Sequence, residues 1–180
     1  MTYPKLSTLN SKLKMKKLLF ICLALAAVML SGCKENNWMD WKAQNDLWLA
    51  QNATQDSVVT TSTGLQYKII YQGNPTDARP DNSKTVLVTY EGYLINGCRF
   101  DGGTASFALS SVVSGFAEGL RKINNKGVIE IYVPYYLGYD EEKYTSDDIY
   151  EAEGHGTEGT SSYIPPYSVL IFKVNLDAVY

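Results

Sequence analysis

Cysteine and histidine are scarce in this 180-residue chain, which has three cysteines and a single histidine. No group of them has the spacing of a metal site. The histidine, His155, lies between two glycines, and nothing in the sequence supports a serine–histidine–aspartate triad around it. A glycine-rich loop that would hold a phosphate is also missing. The sequence therefore predicts neither a metal site nor a cofactor.

The sequence also lacks an apolar run that spans a bilayer comfortably, which takes about 20 residues. A shorter apolar run at residues 18–30 follows four closely spaced lysines and precedes Ser31, Gly32 and Cys33. A basic start, a short apolar core and small residues at its end are typical of a secretory signal. We therefore predict a lipoprotein signal peptide over residues 1–32.

The tetrapeptide Leu30-Ser31-Gly32-Cys33 resembles the lipobox of bacterial lipoproteins. The resemblance implies that Cys33 is acylated and becomes the first mature residue. Two or more acyl chains anchor a protein stably, whereas a single chain binds only marginally. We therefore expect a protein of the cell envelope, held to the outer membrane by lipid, on either the periplasmic or the surface-exposed face.

Basic residues are few once the predicted signal is removed. Eleven basic residues then stand against nineteen acidic ones, which leaves a net charge of −8. An acidic surface repels the phosphate backbone, so we expect no nucleic-acid partner. Of the three cysteines, Cys22 lies in the predicted signal and Cys33 is the predicted lipid site. Cys98 is then left with no partner, so no disulfide is expected.

The mature chain begins with a predicted N-terminal helix and linker over residues 33–63. Residues 35–53 contain neither glycine nor proline, and large apolar side chains recur there at helical spacing. Those side chains are Trp38, Trp41, Leu47 and Trp48. Such a helix either docks on the main domain or forms a spacer near the membrane. Residues 57–64, rich in serine, threonine and valine, are predicted to be a linker.

The main domain is predicted over residues 64–180 and is rich in strand patterns. In residues 86–94 the strand pattern puts Val86, Val88 and Tyr90 on one face and Leu87, Thr89 and Glu91 on the other. Asn96-Gly97 is the strongest hairpin dipeptide in the chain. The other predicted strands cover residues 65–72, 99–101, 106–109, 128–133 and 169–176, and one helix covers residues 115–124. A short helix against an antiparallel sheet is an α+β arrangement.

A long acidic loop is predicted over residues 140–162, with eight acidic residues against Lys143. Loops longer than about 12–15 residues are usually functional or disordered, and the sequence leaves both open. Asp147 and Asp148 do not have the pattern of a calcium-binding loop.

Short blocks of the main domain follow one another in a recognisable order. They are residues 64–70 (GLQYKII), 86–92 (VLVTYEG), Asn96-Gly97, Phe100-Asp101, 112–116 (VVSGF), Val133-Pro134, Leu137-Gly138-Tyr139, 163–166 (YIPP) and 170–172 (LIF). Together, over about residues 63–179, these blocks resemble the FKBP family of peptidyl-prolyl cis-trans isomerases. The resemblance implies a half-wrapped antiparallel β-sheet around one short helix.

The resemblance also implies an apolar pocket between the sheet and the helix. Its catalytic residues would be Tyr90, Asp101, Phe116 and Tyr139, and its substrate-binding residues Phe100, Phe107, Val112, Val113, Ile164 and Phe172. Phe116 would be the floor under the substrate proline. The main-chain N–H of Val113 and the hydroxyl of Tyr139 would hold the bound peptide. Asp101 would tie down Tyr90 or polarise the site.

Two functions are compatible with this scaffold. The first is an isomerase that acts on proline-containing polypeptides and assists the folding of exported proteins. The alternative is a catalytically weak or inactive binding module that contacts a protein partner through the acidic loop. Plain core packing also accounts for many apolar residues on strands. Asp101 fits packing less well, because an unpaired buried carboxylate is costly.

Overall fold

The computed structural model describes residues 38–77, 79–139 and 164–180. The helices there are α1 (Met39–Asn52) and α2 (Ser114–Leu120). The strands are β1 (Val59–Thr60), β2 (Gln66–Tyr71), β3 (Thr85–Tyr93), β4 (Arg99–Ala108), β5 (Val128–Val133) and β6 (Leu170–Val179). Single 3-10 turns cover Leu109–Ser111 and Tyr135–Leu137. These elements confirm the predicted α+β class.

The six strands form one antiparallel sheet in the order β1-β2-β5-β6-β3-β4. In β3 the predicted alternation holds, because Val86, Val88 and Tyr90 are buried on one face. The predicted hairpin joins β3 to β4, with Gly97 at a φ of +84°. A φ in this range favours glycine, as a tight hairpin requires.

Three predicted elements have different limits in the structure. The strands predicted over residues 99–101 and 106–109 are one continuous strand, β4. The helix predicted to reach residue 124 ends at Leu120. The predicted linker over residues 57–64 includes β1, which pairs with β2. Main-chain pairing with the neighbouring strand decides the limits of β1 and β4, and packing on the sheet decides that of the helix.

Helix α2 lies unusually close to the sheet because it presents glycine to β5. A Cβ atom added at Gly119 would lie 2.5–2.8 Å from three side-chain atoms of Ile131. Gly115, one turn earlier, faces Val133 in the same way. Residues four apart share one side of a helix, so the two glycines form a single contact face. Phe116, between them, is thereby held against the inner face of the sheet.

Helix α1 docks on the domain, so of the two placements left open by the sequence the structure shows the docked one. Trp48 packs on Tyr132 of β5, with ring centroids 5.7 Å apart. Since Tyr132 alternates with Ile131 and Val133, α1 lies against the face of the sheet opposite to α2. Leu47 was expected on the aromatic side of this helix, but 58% of it is exposed.

Polar contacts hold α1 in place along its whole length. Its side chains at positions 41, 45 and 52 form hydrogen bonds with residues of β2 and of the segment before β6. Neither helix is both long and apolar enough to cross a membrane, in the part of the chain that the structure describes.

Candidate active site

A cavity of about 400 Å³ opens where α2 faces the curved sheet. Its walls come from strands β3, β4 and β6, from the 3-10 turn and segment that lead into α2, from the start of α2, and from the turn after β5. The lining residues are Tyr90, Asp101, Phe107, Ser111, Val112, Val113, Phe116, Gly138, Tyr139 and Phe172. Aromatic and aliphatic side chains line it together with polar groups, a combination typical of a small-molecule or peptide site.

Aromatic rings form the inner end of this cavity. Phe116 is 4% exposed, and its ring lies 4.9 Å from Phe172 and 6.4 Å from Phe107, both edge-on. The ring of Tyr90 closes the group, 6.2 Å from Phe116. Edge-to-face pairs stabilise such a cluster by about 0.5–1.5 kcal/mol each beyond burial. The floor is therefore rigid and almost free of polar atoms.

Asp101 is the charged residue among those that line the cavity. Its Oδ2 accepts a hydrogen bond from the Tyr90 hydroxyl at 2.8 Å, and its Oδ1 accepts one from the main-chain N–H of Gly102 at 2.8 Å. The expectation that this carboxylate is buried is wrong, since Asp101 is exposed. From this exposed position it fixes the direction of the Tyr90 hydroxyl.

The pKa of Tyr90 is raised from its usual 10 to about 12. Burial of the ring is the main cause, because a phenolate is poorly solvated there. The hydrogen bond to Asp101 adds to the effect, since a carboxylate accepts only from the neutral hydroxyl. Tyr90 is therefore a neutral donor at all ordinary pH values.

The rim of the cavity consists of two main-chain segments. Val113 is the N-cap residue of α2 and has extended geometry, with φ −57° and ψ 142°. The first N–H groups of a helix have no acceptor within it, so this edge can donate to a ligand. On the other side, Gly138 and Tyr139 follow the turn Tyr135–Leu137. The Ser114 hydroxyl donates to the carbonyl of Leu137 at 3.1 Å and joins the two sides.

Eight of the ten residues predicted for the pocket line this one cavity. The exceptions are Phe100 and Ile164. The ring of Phe100 packs edge-on against Phe172, 5.5 Å away, and covers Gly92 of the neighbouring strand. Ile164 is buried in the main core. A substrate-binding role for these two stays a prediction.

Two lining residues, Ser111 and Gly138, were missed by the sequence reasoning. Ser111 ends a 3-10 turn, and its hydroxyl donates to the carbonyl of Ala108 at 2.8 Å. Gly138 contributes main chain only. Both lie next to residues that were predicted, so adjacency along the chain was the available signal.

Comparison with known proteins shows the family of this chain. A family model described as FKBP-type peptidyl-prolyl cis-trans isomerase matches residues 76–177. A second, described as a domain amino terminal to FKBP-type peptidyl-prolyl isomerase, matches residues 11–69. The chain belongs to the FKBP family. The first match covers β3, β4, β5, most of β6, helix α2 and every residue that lines the cavity.

Individual FKBP relatives support the same assignment. The probable FKBP-type peptidyl-prolyl cis-trans isomerase FkpA of Neisseria meningitidis serogroup B is 35% identical over 140 residues, 75% of this chain and 45% of the relative. The outer membrane protein MIP of Legionella longbeachae is 35% identical over 143 residues, which cover 77% of this chain and 54% of that protein. The crystal structure of FkpA from Escherichia coli has a TM-score of 0.65 at 28% identity, covering 99% of this chain and 74% of that one. The chain spans about half the length of these two curated FKBP relatives.

Some predictions concern residues outside the described ones. The signal peptide over residues 1–32, the lipid site Cys33 and the acidic loop over residues 140–162 all fall there, as does His155. They stay predictions. Among the described residues, no three histidine, cysteine or carboxylate side chains are grouped as a metal site would need.

Proposed function

We propose that this FKBP domain is a peptidyl-prolyl cis-trans isomerase that acts on proline-containing polypeptides. The observation that carries the proposal is the aromatic-floored cavity, whose lining also includes Val113 and Tyr139. In size, a cavity of about 400 Å³ suits a proline ring and its neighbours. The names of the family and of its relatives support the same activity.

Catalysis in such a site needs neither a nucleophile nor a metal. The barrier to rotation about an Xaa-Pro bond comes from amide resonance, and it is roughly 18–20 kcal/mol. Resonance places negative charge on the carbonyl oxygen, and the aromatic floor, which has little contact with water, disfavours that separation of charge. The twisted amide has lost resonance and is therefore favoured there. Binding the twisted form more tightly than either planar isomer lowers the barrier.

Each part of the cavity then has a proposed role. Phe116 supports the proline ring, with Phe107 and Phe172 beside it. Val112 and Val113 border the ring, and the N–H of Val113 donates to the peptide. The Tyr139 hydroxyl holds the peptide from the other side. Asp101 orients Tyr90, whose neutral hydroxyl stays directed away from the aromatic floor.

The removal of one hydroxyl tests this arrangement. Tyr139→Phe should lower kcat/KM for isomerisation of a short Xaa-Pro peptide about 5–10-fold, because one hydrogen bond contributes about 0.5–1.5 kcal/mol. Tyr71→Phe is the matched control, since Tyr71 is exposed on β2 and lies outside the cavity. Exchange between cis and trans peptide signals in NMR spectra measures both. If the unsubstituted protein gives no acceleration at all, the isomerase proposal fails.

We further propose that the protein is exported to the cell envelope and anchored through Cys33. The Leu30-Ser31-Gly32-Cys33 sequence supports this, as does the name of the Legionella relative, an outer membrane protein. Growth with an alkyne-tagged fatty acid should label the protein, and Cys33→Ser should abolish the label. Cys98→Ser, the matched control, should keep it. A label that survives Cys33→Ser would refute the lipid site.

The binding-module alternative is not adopted. It assigns the binding of a partner to residues 140–162, which lie outside the described residues. The contacts among the described residues do not favour a binding module over an isomerase.

A further inference from the structure

Helix α1 contacts the chain on both sides of residues 140–163, although it precedes the domain in sequence. One side, here called the leading leg, is Tyr135 to Tyr139. The other, the trailing leg, is Ile164 to Val169. The leading leg includes Gly138 and Tyr139, which line the cavity. The trailing leg runs directly into Leu170 of β6.

The trailing leg is held by hydrogen bonds from the inner side of α1. The indole N–H of Trp41 donates to the Ser168 hydroxyl at 3.0 Å, and that hydroxyl donates to the carbonyl of Pro165 at 2.6 Å. Asn45, only 1% exposed, accepts from the main-chain N–H of Val169 at 2.8 Å. Buried polar groups that are paired in this way fix a segment firmly, because breaking a pair leaves a buried group unsatisfied.

The leading leg is held at the same place by an edge-to-face pair of aromatic rings. Tyr135 and Tyr167, one from each leg, lie 5.2 Å apart at 80°. The Lys42 ammonium lies over both rings, 5.4 Å from the centre of Tyr135 and 6.0 Å from that of Tyr167. A cation over aromatic faces is attracted to each of them. One turn of α1 therefore fixes the legs relative to each other.

The two legs also meet at the cavity wall. A Cβ added at Gly138 would lie 3.0 Å from the Leu170 side chain and 3.5 Å from Val133. Leu170 follows Val169, the residue that Asn45 holds. A shift of Val169 therefore reaches Gly138, and through it Tyr139, within two contacts.

We propose that α1 is a positioning element for the proline site, acting through Trp41 and Asn45. The inference rests on the proposed isomerase function and extends it. A site must be held within about 0.5 Å of its productive geometry by surrounding residues. The legs are separated in sequence by residues 140–163, and the pairing of Val133 with Leu170 joins them at their base only. The docked helix holds the outer parts of the two legs at a fixed separation. The segment before the domain thereby positions Gly138 and Tyr139 at the edge of the cavity.

A purely structural role for α1 is the competing explanation, and the far end of the helix offers a matched control. The Asn52 amide donates to Gln66 of β2 at 2.9 Å, and Gln66 donates to the carbonyl of Leu49 at 3.0 Å. These bonds dock α1 as well, but they touch neither leg. Asn52→Ala therefore weakens docking without disturbing the rim.

The test uses the full chain and compares Trp41→Phe, Asn45→Ala and Asn52→Ala. Urea midpoints give stability, and KM and kcat are measured on an Xaa-Pro peptide where each variant is fully folded. We expect Trp41→Phe and Asn45→Ala to raise KM and to lower kcat/KM about 3–10-fold, the effect of losing one or two hydrogen bonds. Asn52→Ala should keep kcat/KM unchanged at a similar loss of stability. Equal kcat/KM in all three variants, whether lowered or retained, would overturn the positioning role.

A second measurement does not depend on catalysis. The amide chemical shifts of Gly138 and Tyr139 should move in Trp41→Phe and Asn45→Ala, and should stay in place in Asn52→Ala. If Asn45→Ala fails to fold, Trp41→Phe decides the outcome, because it removes the indole N–H donor and keeps an aromatic ring. Shifts that move without any activity in the parent protein would refute the isomerase function and leave the positioning intact. Unmoved shifts in an active enzyme would refute the positioning alone.

Discussion

Phe116→Ala is expected to lower the free energy of unfolding by about 3–5 kcal/mol and to remove most of the isomerase activity. The ring is nearly inaccessible and is in contact with three other aromatic side chains. Its loss would leave an empty volume beneath the cavity, which the glycine-mediated contact of α2 with β5 cannot close. The proline would then lack its floor. A loss of about 1.4 kcal/mol of transition-state binding already costs tenfold in rate.

Because the alanine variant is so destabilised, Phe116→Leu separates activity from folding. Leucine keeps an apolar side chain, so we expect a loss of about 1–2 kcal/mol in stability and still a fall of at least about fivefold in kcat/KM. Ile123→Val is the control, since Ile123 is fully buried but does not line the cavity. Urea unfolding and peptide isomerisation measure the two quantities. Full activity in Phe116→Leu would show that the ring is core packing only.

Tyr90 should make the stability of the protein fall at alkaline pH. Its pKa is about 12 in the folded chain against 10 for an ordinary tyrosine, so only the unfolded chain releases this proton between those values. The stabilisation is complete below pH 10 and is lost as the pH rises through 12. At pH 11 the loss amounts to about 1.4 kcal/mol relative to pH 9, by linkage.

Tyr90→Phe isolates this contribution, because phenylalanine does not titrate. Tyr132 also has a raised pKa, from burial and then from its bond to Glu130, but it titrates in both proteins and cancels. The difference in unfolding free energy between the parent and Tyr90→Phe should therefore shrink by about 1.4 kcal/mol between pH 9 and pH 11. Urea titrations at several pH values give this difference. A difference that stays constant with pH would show that Tyr90 is not shielded as described.

The sequence predicts best those features that depend on local pattern. Alternation in β3 and the Asn96-Gly97 turn identify the central hairpin, since burial on one face and a positive φ are properties of a few neighbouring residues. The continuity of β4 is not predicted by local pattern. Gly102 and Gly103 interrupt its side-chain pattern, yet they pair with Glu91 and Tyr90 through the main chain. Both have φ near +150°, which glycine alone adopts easily.

The candidate site likewise has residues that the sequence places correctly and residues that it does not. Positions carried by the family blocks converge on one cavity because the blocks fix strand order and register. Phe100 departs from this, since its ring follows the space left by Gly92 across the hairpin. The exposure of Asp101 was not predicted either, because it depends on β4 being the edge strand of the sheet. Both depend on pairing between strands, which local pattern does not specify.

Helix α1 is attached mainly by directional bonds and rings, and this determines when it can exist as a helix. A free helix of 14 residues is marginal in water. Asn45 and Trp41 meet their partners in only one register, so a helix displaced by one residue would lose these bonds together. Winding of the segment and its attachment to the sheet are therefore a single event. A peptide cut from the chain at this point would be largely unfolded, and the domain left behind would expose the orphaned N–H of Val169.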